Sequence, residues 1–286
     1  MIEEFDLFSY SVPKFVIDKP IRLIELFAGI GSQAKALKNL GVKFEHWKCI
    51  EWDRFAVASY NAVHGTNFTP QDITLTHASD LEIVDKERYC YILTYSFPCQ
   101  DLSLAGAQKG MKKGSGTRSG LLWEVERILD ECTELPQVLL MENVPQIIGK
   151  KNISDFQSWR SKLESLGYSN YVQLLNAKDY GIPQNRNRCF MVSILGDYHY
   201  TFPKKQKLEL RLKDMLEENV DEKYYLSDQI VKSFLAFNDR SVEKGRGFMF
   251  EPLERERERA NAVLSKPGTR PCDNYLYDGL HREGNR

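Results

Sequence analysis

A regular alternation of short apolar runs and amphipathic segments, from about residue 20 to 196, constrains the fold of this chain most strongly. The runs are as long as buried strands, and the segments between them have helical periodicity and often stop at a glycine. We predict strands at 21–27, 44–50, 89–97, 136–141, 171–177 and 189–195, and helices at 32–40, 53–64, 120–132 and 156–166. This rhythm predicts an α/β fold with a doubly wound, mostly parallel sheet.

The rhythm ends near residue 202. Beyond it we predict two helices, 208–220 and 227–237, the second capped by Ser227. The sequence from 238 to 286 is polar and rich in Gly, Pro and Arg. Its alternating charges at 254–259 are typical of a solvated surface. We therefore predict two regions, a catalytic domain at 1–201 and a smaller region at 202–286.

Composition excludes several classes of protein. With 42% hydrophobic and 28% charged residues among 286, the chain is typical of a folded globular protein, and its net charge of −1 neither favours nor excludes nucleic acid. The acidic N-terminus differs from a signal peptide, and no apolar run reaches the ~18 residues of a membrane span. Six scattered cysteines without zinc-like spacing predict a reducing, cytoplasmic compartment and no metal site.

Chemically unusual residues follow one predicted strand after another. Gly29 and Gly31 follow the first strand, Glu51 the second, Cys99 the third, and Glu142 the strand at 136–141. Because ligands of open α/β sheets bind at the carboxyl ends of the strands, these residues are expected to converge on one edge.

The first of these features predicts a nucleoside cofactor. Gly29-Ile-Gly31-Ser-Gln-Ala34 fits a glycine fingerprint between strand and helix, and Glu51 stands twenty residues past Gly31, where a ribose-binding acid is expected. The pattern does not separate NAD from S-adenosylmethionine, and a tight turn that merely needs glycine is the alternative.

Three further features carry candidate chemistry. Cys99 precedes a glycine-rich stretch, 103–120, whose charged residues are all basic, which indicates either a loop that closes over a polyanion or a solvated surface loop. Glu142 ends a buried apolar run, so it is either a carboxyl group that retains a proton near neutral pH or a helix cap. Arg186 and Arg188 alternate into a strand, where they either hold a carboxylate, carbonyl or phosphate or face solvent. The basic residues of the loop are Lys109, Lys112, Lys113 and Arg118.

Taken together, these segments resemble the DNA cytosine-5 methyltransferase family over residues 21–196. The matching text is LFAGIG (26–31), IEWD (50–53), DI (72–73), SFPCQDLSLAG (96–106), RSGLLWE (118–124), MENVP (141–145) and YGIPQNRNRCF (180–190). The resemblance implies a Rossmann-like class I methyltransferase fold, S-adenosyl-L-methionine as cofactor and double-stranded DNA as substrate.

The resemblance also implies roles by position. Cys99 would be the nucleophile, Glu142 the group that contacts the ring nitrogen, and Arg186, with Arg188 beside it, the group that orients the ring carbonyl. Cofactor contacts are implied for Phe27, Gly29 and Gly31 on the methionine side, Glu51 on ribose, Trp52, Asp72 and Ile73 on adenine, and Pro98 in the adjoining loop.

The C-terminal region departs from the family pattern. Family members continue from a target-recognition region into two further segments that we do not find here. We therefore expect 202–286 to be the start of a recognition region, in a chain that is truncated or completed by a second subunit. A tRNA cytosine-5 methyltransferase, an inactive DNA-binding homologue and an NAD-dependent oxidoreductase are the rival interpretations.

Overall fold

A computed structural model describes residues 12–102, 110–243, 249–263 and 268–277. Its eight strands within these ranges are β1 (Ile21–Leu26), β2 (Phe44–Ile50), β3 (Cys90–Tyr95), β4 (Val138–Asn143), β5 (Tyr168–Asn176), β6 (Gln184–Asn185), β7 (Asn187–Leu195) and β8 (Ala260–Asn261). The α-helices are α1 (Ser32–Asn39), α2 (Arg54–His64), α3 (Ala78–Leu81), α4 (Leu122–Glu131), α5 (Ile153–Ser165) and α6 (Asp228–Glu243). The chain divides into two compact units, Met1–Leu174 with Arg188–Phe202, and Leu175–Asn187 with Pro203–Arg286.

The central sheet has the order β2-β1-β3-β4-β7-β5. Strands β2, β1, β3 and β4 are parallel, and β7 runs antiparallel to β4. The chain moves from β1 outward to β2 and then returns to the other side of β1 as β3. Since crossovers are right-handed, this reversal places helices on both faces and leaves a switch point between β1 and β3. The predicted α/β fold with a mostly parallel sheet is confirmed.

Local sequence explains the elements nearest this switch point. All six residues of β3 are buried, as expected of a central parallel strand that is covered on both faces. Helix α2 begins where the Asp53 carboxylate accepts the amides of Phe55 and Ala56, and it ends at Gly65 with φ of 70°. The apolar stripe of α4, formed by Leu122, Val125, Ile128 and Leu129, is buried in the main core.

The predicted helix at 208–220 is wrong. This segment forms only a 3-10 turn at Leu212–Met215, and the amide of Leu212 donates to Glu258 O instead of to a carbonyl one helical turn earlier. The apolar side chains at 208, 210 and 212 alternate with a period of two among charged residues, so a helix would have no continuous apolar stripe to bury.

The second unit is small and has its own apolar clusters. Its helix α6 starts one residue after Ser227, whose hydroxyl accepts the amide of Ile230, and it extends beyond the predicted end. Within this unit β6 pairs with β8, which explains why the segment Leu175–Asn187 belongs with the C-terminal residues rather than with the domain predicted at 1–201. The clusters are centred on Leu212, Leu253 and Ala260, and on Val231, Phe250 and Tyr275.

Candidate cofactor and methyl-transfer site

The loop between β1 and α1 has a backbone that few residue types adopt. Gly29 and Gly31 have φ of 56° and 79°, and Phe27 has φ of 57°, although it carries a side chain. A non-glycine residue in this region costs on the order of 1–3 kcal/mol and persists where surrounding contacts hold it. The glycines explain how the chain turns sharply from strand to helix. The backbone of Phe27 is strained, and contacts around the loop must hold it in this conformation.

Glu51 fixes this loop from the neighbouring strand. Its Oε2 accepts the amide of Gly29 at 3.0 Å, and its Oε1 accepts the amide of Asp53 at 2.9 Å. Each carboxylate oxygen has two lone pairs, so Glu51 retains an acceptor position on both oxygens. The carboxylate can therefore shape the loop and still bind ribose hydroxyl groups.

The turn that follows Asp72 contains another group of predicted cofactor contacts. Asp72 Oδ1 accepts both the amide and the hydroxyl of Thr74, and Ile73 is buried in the main core. The guanidinium of Arg127 on α4 donates to the carbonyls of Ile73 and Thr76 at 3.1 and 2.8 Å. Arg127 was not singled out in the sequence, because the turn that it holds lies more than fifty residues away.

These segments enclose a cavity of about 390 Å³ in the first unit. Six predicted residues line its wall, Gly29 and Gly31 lie in the adjoining loop, and Trp52 is 78% exposed at the rim. The lining includes Phe27, Glu51, Trp52, Asp72, Ile73 and Pro98, which were predicted, and Gln71, Ser96, Gln100, Arg118 and Leu121, which were not. Gly29 contributes through the hydrogen bond that its backbone amide donates to the Glu51 carboxylate.

The residues of this cavity fit S-adenosylmethionine. The aromatic ring of Trp52 suits a purine, Glu51 supplies acceptors for ribose hydroxyl groups, and Phe27 adds apolar surface for the methionine side. The volume lies within the range of small-molecule sites, and the wall combines apolar surface with a few placed carboxylates. The predicted cofactor site is therefore chemically coherent.

Cys99 lies just beyond β3, and three buried polar side chains hold the backbone on either side of it. Asn143 donates to Phe97 O at 3.0 Å, and the Ser119 hydroxyl donates to Pro98 O at 2.6 Å. Asp101 Oδ2 accepts the amides of Arg118 and Ser119 at 2.8 and 3.4 Å, and Asp101 O accepts the amide of Gly110. We call Asn143, Ser119 and Asp101 the nucleophile clamp.

The bonds of the nucleophile clamp act on backbone atoms on either side of Cys99, the residue predicted to be the nucleophile. The members of the clamp are nearly inaccessible to solvent, with exposed fractions of 2%, 0% and 8%. Sequence reasoning missed them as functional residues, because each bond joins positions between 17 and 46 residues apart. The signal in the sequence was limited to their presence in the segments 96–106, 118–124 and 141–145.

Glu142 stands near the end of β4, next to β3 in the sheet. Its Oε1 pairs with Arg188 Nε at 2.9 Å, and both side chains are mostly buried. Arg188 therefore belongs to the same unit as Glu142, and the structure brings these two predicted residues together. Arg186 lies in the second unit. Its amide donates to the Asn176 side chain, its carbonyl accepts the amide of Ala177, and its guanidinium donates to Val263 O.

The predicted basic loop is described in part. Positions 103–109, including Lys109, lie outside the described residues. Lys113 forms an ion pair with Glu126, and Arg118 donates to the Gln100 side chain beside the cofactor cavity. Met111 is fully buried, and Trp123 donates to its carbonyl, so the second half of the loop is anchored in the core.

Four other cysteines are chemically quiet. Burial raises the pKa of Cys49 and Cys189 to about 12, and that of Cys90 and Cys132 to about 11. All six cysteines are free thiols. In the described ranges no cluster of three His, Cys, Asp or Glu side chains could hold a metal ion, and none of the helices there is long and apolar enough to cross a bilayer.

A larger cavity, of about 670 Å³, is lined by Arg22 on β1, by Trp47 on β2, and by residues of the segments 78–89 and 131–134. Its wall includes Arg22, whose guanidinium lies 3.6 Å from the ring centres of both Trp47 and Tyr89. Arg22 also pairs with Glu45 and donates to the Tyr91 hydroxyl. Because its charge is already paired and no predicted site residue lines this cavity, we assign the chemistry to the smaller one.

A cavity at the switch point of a mostly parallel sheet defines a Rossmann-like α/β protein with a site for a nucleoside cofactor. A sequence model described as C-5 cytosine-specific DNA methylase matches residues 21–278, and the chain belongs to this family of enzymes, which use S-adenosylmethionine as methyl donor and act on DNA. Family membership excludes the NAD-dependent oxidoreductase.

Individual relatives support this placement. The orphan methyltransferase M.SssI of Spiroplasma monobiae is 37% identical over 273 residues, covering 77% of this chain and 70% of M.SssI. The type II methyltransferase M2.ScrFI of Lactococcus lactis subsp. cremoris is 35% identical, covering 83% of this chain and 80% of M2.ScrFI. The crystal structure of S. pombe Dnmt2 methyltransferase superposes with a TM-score of 0.69 over 92% of this chain and 78% of that chain, and at 20% identity it shows the fold alone.

Proposed function

We propose that this chain methylates C5 of cytosine at a specific site in double-stranded DNA, with Cys99 as a covalent nucleophile. The observation that carries the proposal is the pairing of β3 with β4, with Tyr95 opposite Met141. Cys99 follows one strand by four residues, and Glu142 follows Met141 on the other. The two groups thereby belong to the same edge of the sheet, beside the cofactor cavity.

The residue types match the chemistry of cytosine. The Cys99 thiolate adds to C6, so that a sulfur–carbon bond forms and the ring becomes an enamine that is nucleophilic at C5. Glu142 hydrogen-bonds or protonates N3, which prevents negative charge from accumulating on the ring. S-adenosylmethionine, when bound, supplies an electrophilic methyl group. Once C5 carries the methyl group, the C5 proton passes to water, the electron pair of that C–H bond restores the C5–C6 double bond, and Cys99 leaves C6 as a thiolate.

The observed ion pair refines the roles of the two arginines. Because Arg188 contacts Glu142, we assign to Arg188 the task of orienting this carboxylate and the ring carbonyl next to it. Arg186 belongs to the second unit, and we propose that it contacts the DNA.

The target base has to leave the duplex before these groups can reach it. Flipping a base costs roughly a few kcal/mol, and phosphate contacts to basic side chains offset this cost. We propose that Lys112 and the described part of the basic loop contact phosphates, and that the second unit contributes target recognition. A second subunit or a further C-terminal segment remains a prediction, as does a reducing, cytoplasmic location, which the six free thiols favour.

Covalent trapping tests the nucleophile and the substrate together. The full chain is incubated with tritiated S-adenosylmethionine and duplex DNA that contains 5-fluorocytosine, because fluorine blocks the elimination step. We expect a labelled complex that survives denaturation, is lost in Cys99→Ala and is retained in Cys132→Ala. Trapping on 5-fluorocytosine tRNA but not on DNA would instead support a tRNA methyltransferase. If no complex forms with either substrate, and a C-terminal partner does not restore it, an inactive homologue is the better account.

A further inference from the structure

A polar network that the proposed chemistry does not use lies behind the cofactor loop. Its members are Glu25 on β1, His46 on β2, and Tyr60 and His64 on α2. Glu25 is a carboxyl group with no exposed surface, and burial raises its pKa. A carboxyl group placed in a core is costly unless its partners hold it, so this network calls for a reason.

The first half of the network holds the start of α1. Glu25 Oε1 accepts the amide of Ala34 at 3.2 Å, and Oε2 accepts the Tyr60 hydroxyl at 2.6 Å. His46 Nδ1 lies 2.8 Å from the same hydroxyl oxygen. The single hydroxyl proton of Tyr60 is donated to Glu25, so His46 donates to Tyr60. Burial, together with His64 and Lys38, lowers the pKa of His46, which favours its neutral ring.

The second half holds the loop itself. His64 Nε2 lies 3.2 Å from Ile30 O, and a carbonyl only accepts, so Nε2 carries the proton. His64 Nδ1 is buried and has no hydrogen-bond partner among the described residues. The His64 ring packs against Tyr60 and His46, with centroid distances of 4.6 and 5.0 Å.

Glu25 and His64, at the two ends of the network, therefore form hydrogen bonds with the same short segment, 30–34. Ile30 O and the amide of Ala34 flank Gly31, and a Cβ at Gly31 would overlap the His64 ring and come within 2.6 Å of Tyr60. On its other side the loop is held by Glu51, through the amide of Gly29. The loop is thus fixed from two sides. Glu51, which is predicted to bind ribose, holds it on one side, and His64, which lies outside the cavity wall, holds it on the other.

We propose that His64, supported by Tyr60, His46 and Glu25, is a positioning residue that sets the shape of the cofactor loop and thereby the affinity for S-adenosylmethionine. It acts through the Ile30 carbonyl and does not line the cavity. The proposal rests on the assignment of this loop to cofactor binding. It does not depend on Cys99 or on the DNA substrate.

Two substitutions at one position separate a positioning role from simple core packing. In His64→Gln the side-chain amide can still donate to Ile30 O, whereas in His64→Leu the ring is replaced by an apolar group and the donor is lost. We expect His64→Leu to raise the Kd for S-adenosylmethionine about fivefold to tenfold in the absence of DNA. We expect His64→Gln to stay within about twofold of the wild type, and kcat at saturating cofactor to be retained in both.

Controls and contrary outcomes are defined in the same titration. His199→Leu replaces another half-buried histidine, one that packs on Tyr171 far along the sheet, and should leave the Kd unchanged. Tyr60→Phe removes only the hydroxyl that joins Glu25 to His46, and should weaken binding about threefold. An unchanged Kd in His64→Leu overturns this proposal alone, as does equal loss in the Gln and Leu variants. Failure of the wild-type chain to bind S-adenosylmethionine overturns it together with the cofactor assignment.

Discussion

The cofactor side and the nucleotide side of the sheet edge are built differently. On the cofactor side, loops are held through their backbone, by Glu51 on the Gly29 amide and by Arg127 on two carbonyls. On the nucleotide side, the backbone beside Cys99 is held in the same way, but the carboxylate of Glu142, which we propose to contact the target base, is itself engaged in an ion pair with Arg188. Backbone contacts preserve a shape, whereas side-chain ion pairs can exchange partners when a ligand arrives. The comparison suggests a preformed cofactor pocket beside a base pocket that completes its contacts with the substrate.

The largest effect is expected on the nucleotide side. Glu142→Gln removes the acid that we propose protonates cytosine N3, but it retains the shape of the side chain. Methyl transfer should therefore slow by at least about 100-fold. The Kd for S-adenosylmethionine should not change. Single-turnover methylation with excess enzyme, alongside a cofactor titration, measures both quantities. Glu45→Gln is a matched control, because Glu45 also pairs with an arginine but lies away from the site. A raised Kd for S-adenosylmethionine in Glu142→Gln would contradict the distinction between the cofactor side and the nucleotide side.

The reciprocal effect is expected on the cofactor side from Gly31→Ala. The new methyl group meets the rings of His64 and Tyr60, and φ of 79° is unfavourable for alanine. A cost on the order of 1–3 kcal/mol would appear as a Kd at least about fivefold above that of the wild type. Gly41→Ala has a similar φ, of 71°, but open space around the new methyl group, so it controls for backbone strain alone. Equal effects of the two substitutions on cofactor binding would argue against a role of the network behind the loop.

The nucleophile clamp gives an intermediate test. Asp101→Ala leaves the amides of Arg118 and Ser119 without their buried acceptor, at a cost of about 1–3 kcal/mol. We expect the rate of covalent trapping on 5-fluorocytosine DNA to fall about tenfold, with a smaller change in Asp101→Asn, which keeps one acceptor oxygen. Thermal unfolding of both variants separates a misplaced thiol from a destabilised domain. A wild-type trapping rate in Asp101→Ala would show that the clamp does not position Cys99.

These tests address residues that differ in how well the sequence predicts them. Strand β2 was predicted with its observed bounds, and the site residues were predicted at the ends of their strands. Both rest on local signals, namely apolar runs, glycine stops and chemically unusual residues at strand ends. The left-handed φ of Phe27 had no such signal, because nothing in its side chain favours that backbone.

The missing part of the site depends on contacts between distant positions. The bond from Asn143 to Phe97 O spans 46 residues, and that from Tyr60 to Glu25 spans 35. Neither residue type nor spacing distinguishes such a polar group from one that faces solvent. The wrong helix at 208–220 has the same origin, since Leu212 is held by a bond to Glu258 that propensity does not report. The fold was therefore predicted where it follows local patterns along the chain, whereas contacts in which one side chain positions another were not predicted.

The smallest expected effect concerns the support of the cofactor side by Arg127. Hydrogen bonds from Arg127 and from the amide of Ala78 hold the pKa of Glu131 at about 2, below its ordinary value of 4.5. A depressed folded-state pKa contributes stability above pH 4.5, and that contribution is lost as the pH falls towards about 2. Wild type and Glu131→Gln should therefore differ in Tm by about 2 °C at pH 7, and this difference should shrink below pH 4.5. A difference in Tm that stays constant between pH 7 and pH 3 would show that Glu131 acts through packing instead of charge, leaving Arg127 to hold the Ile73 turn without its help.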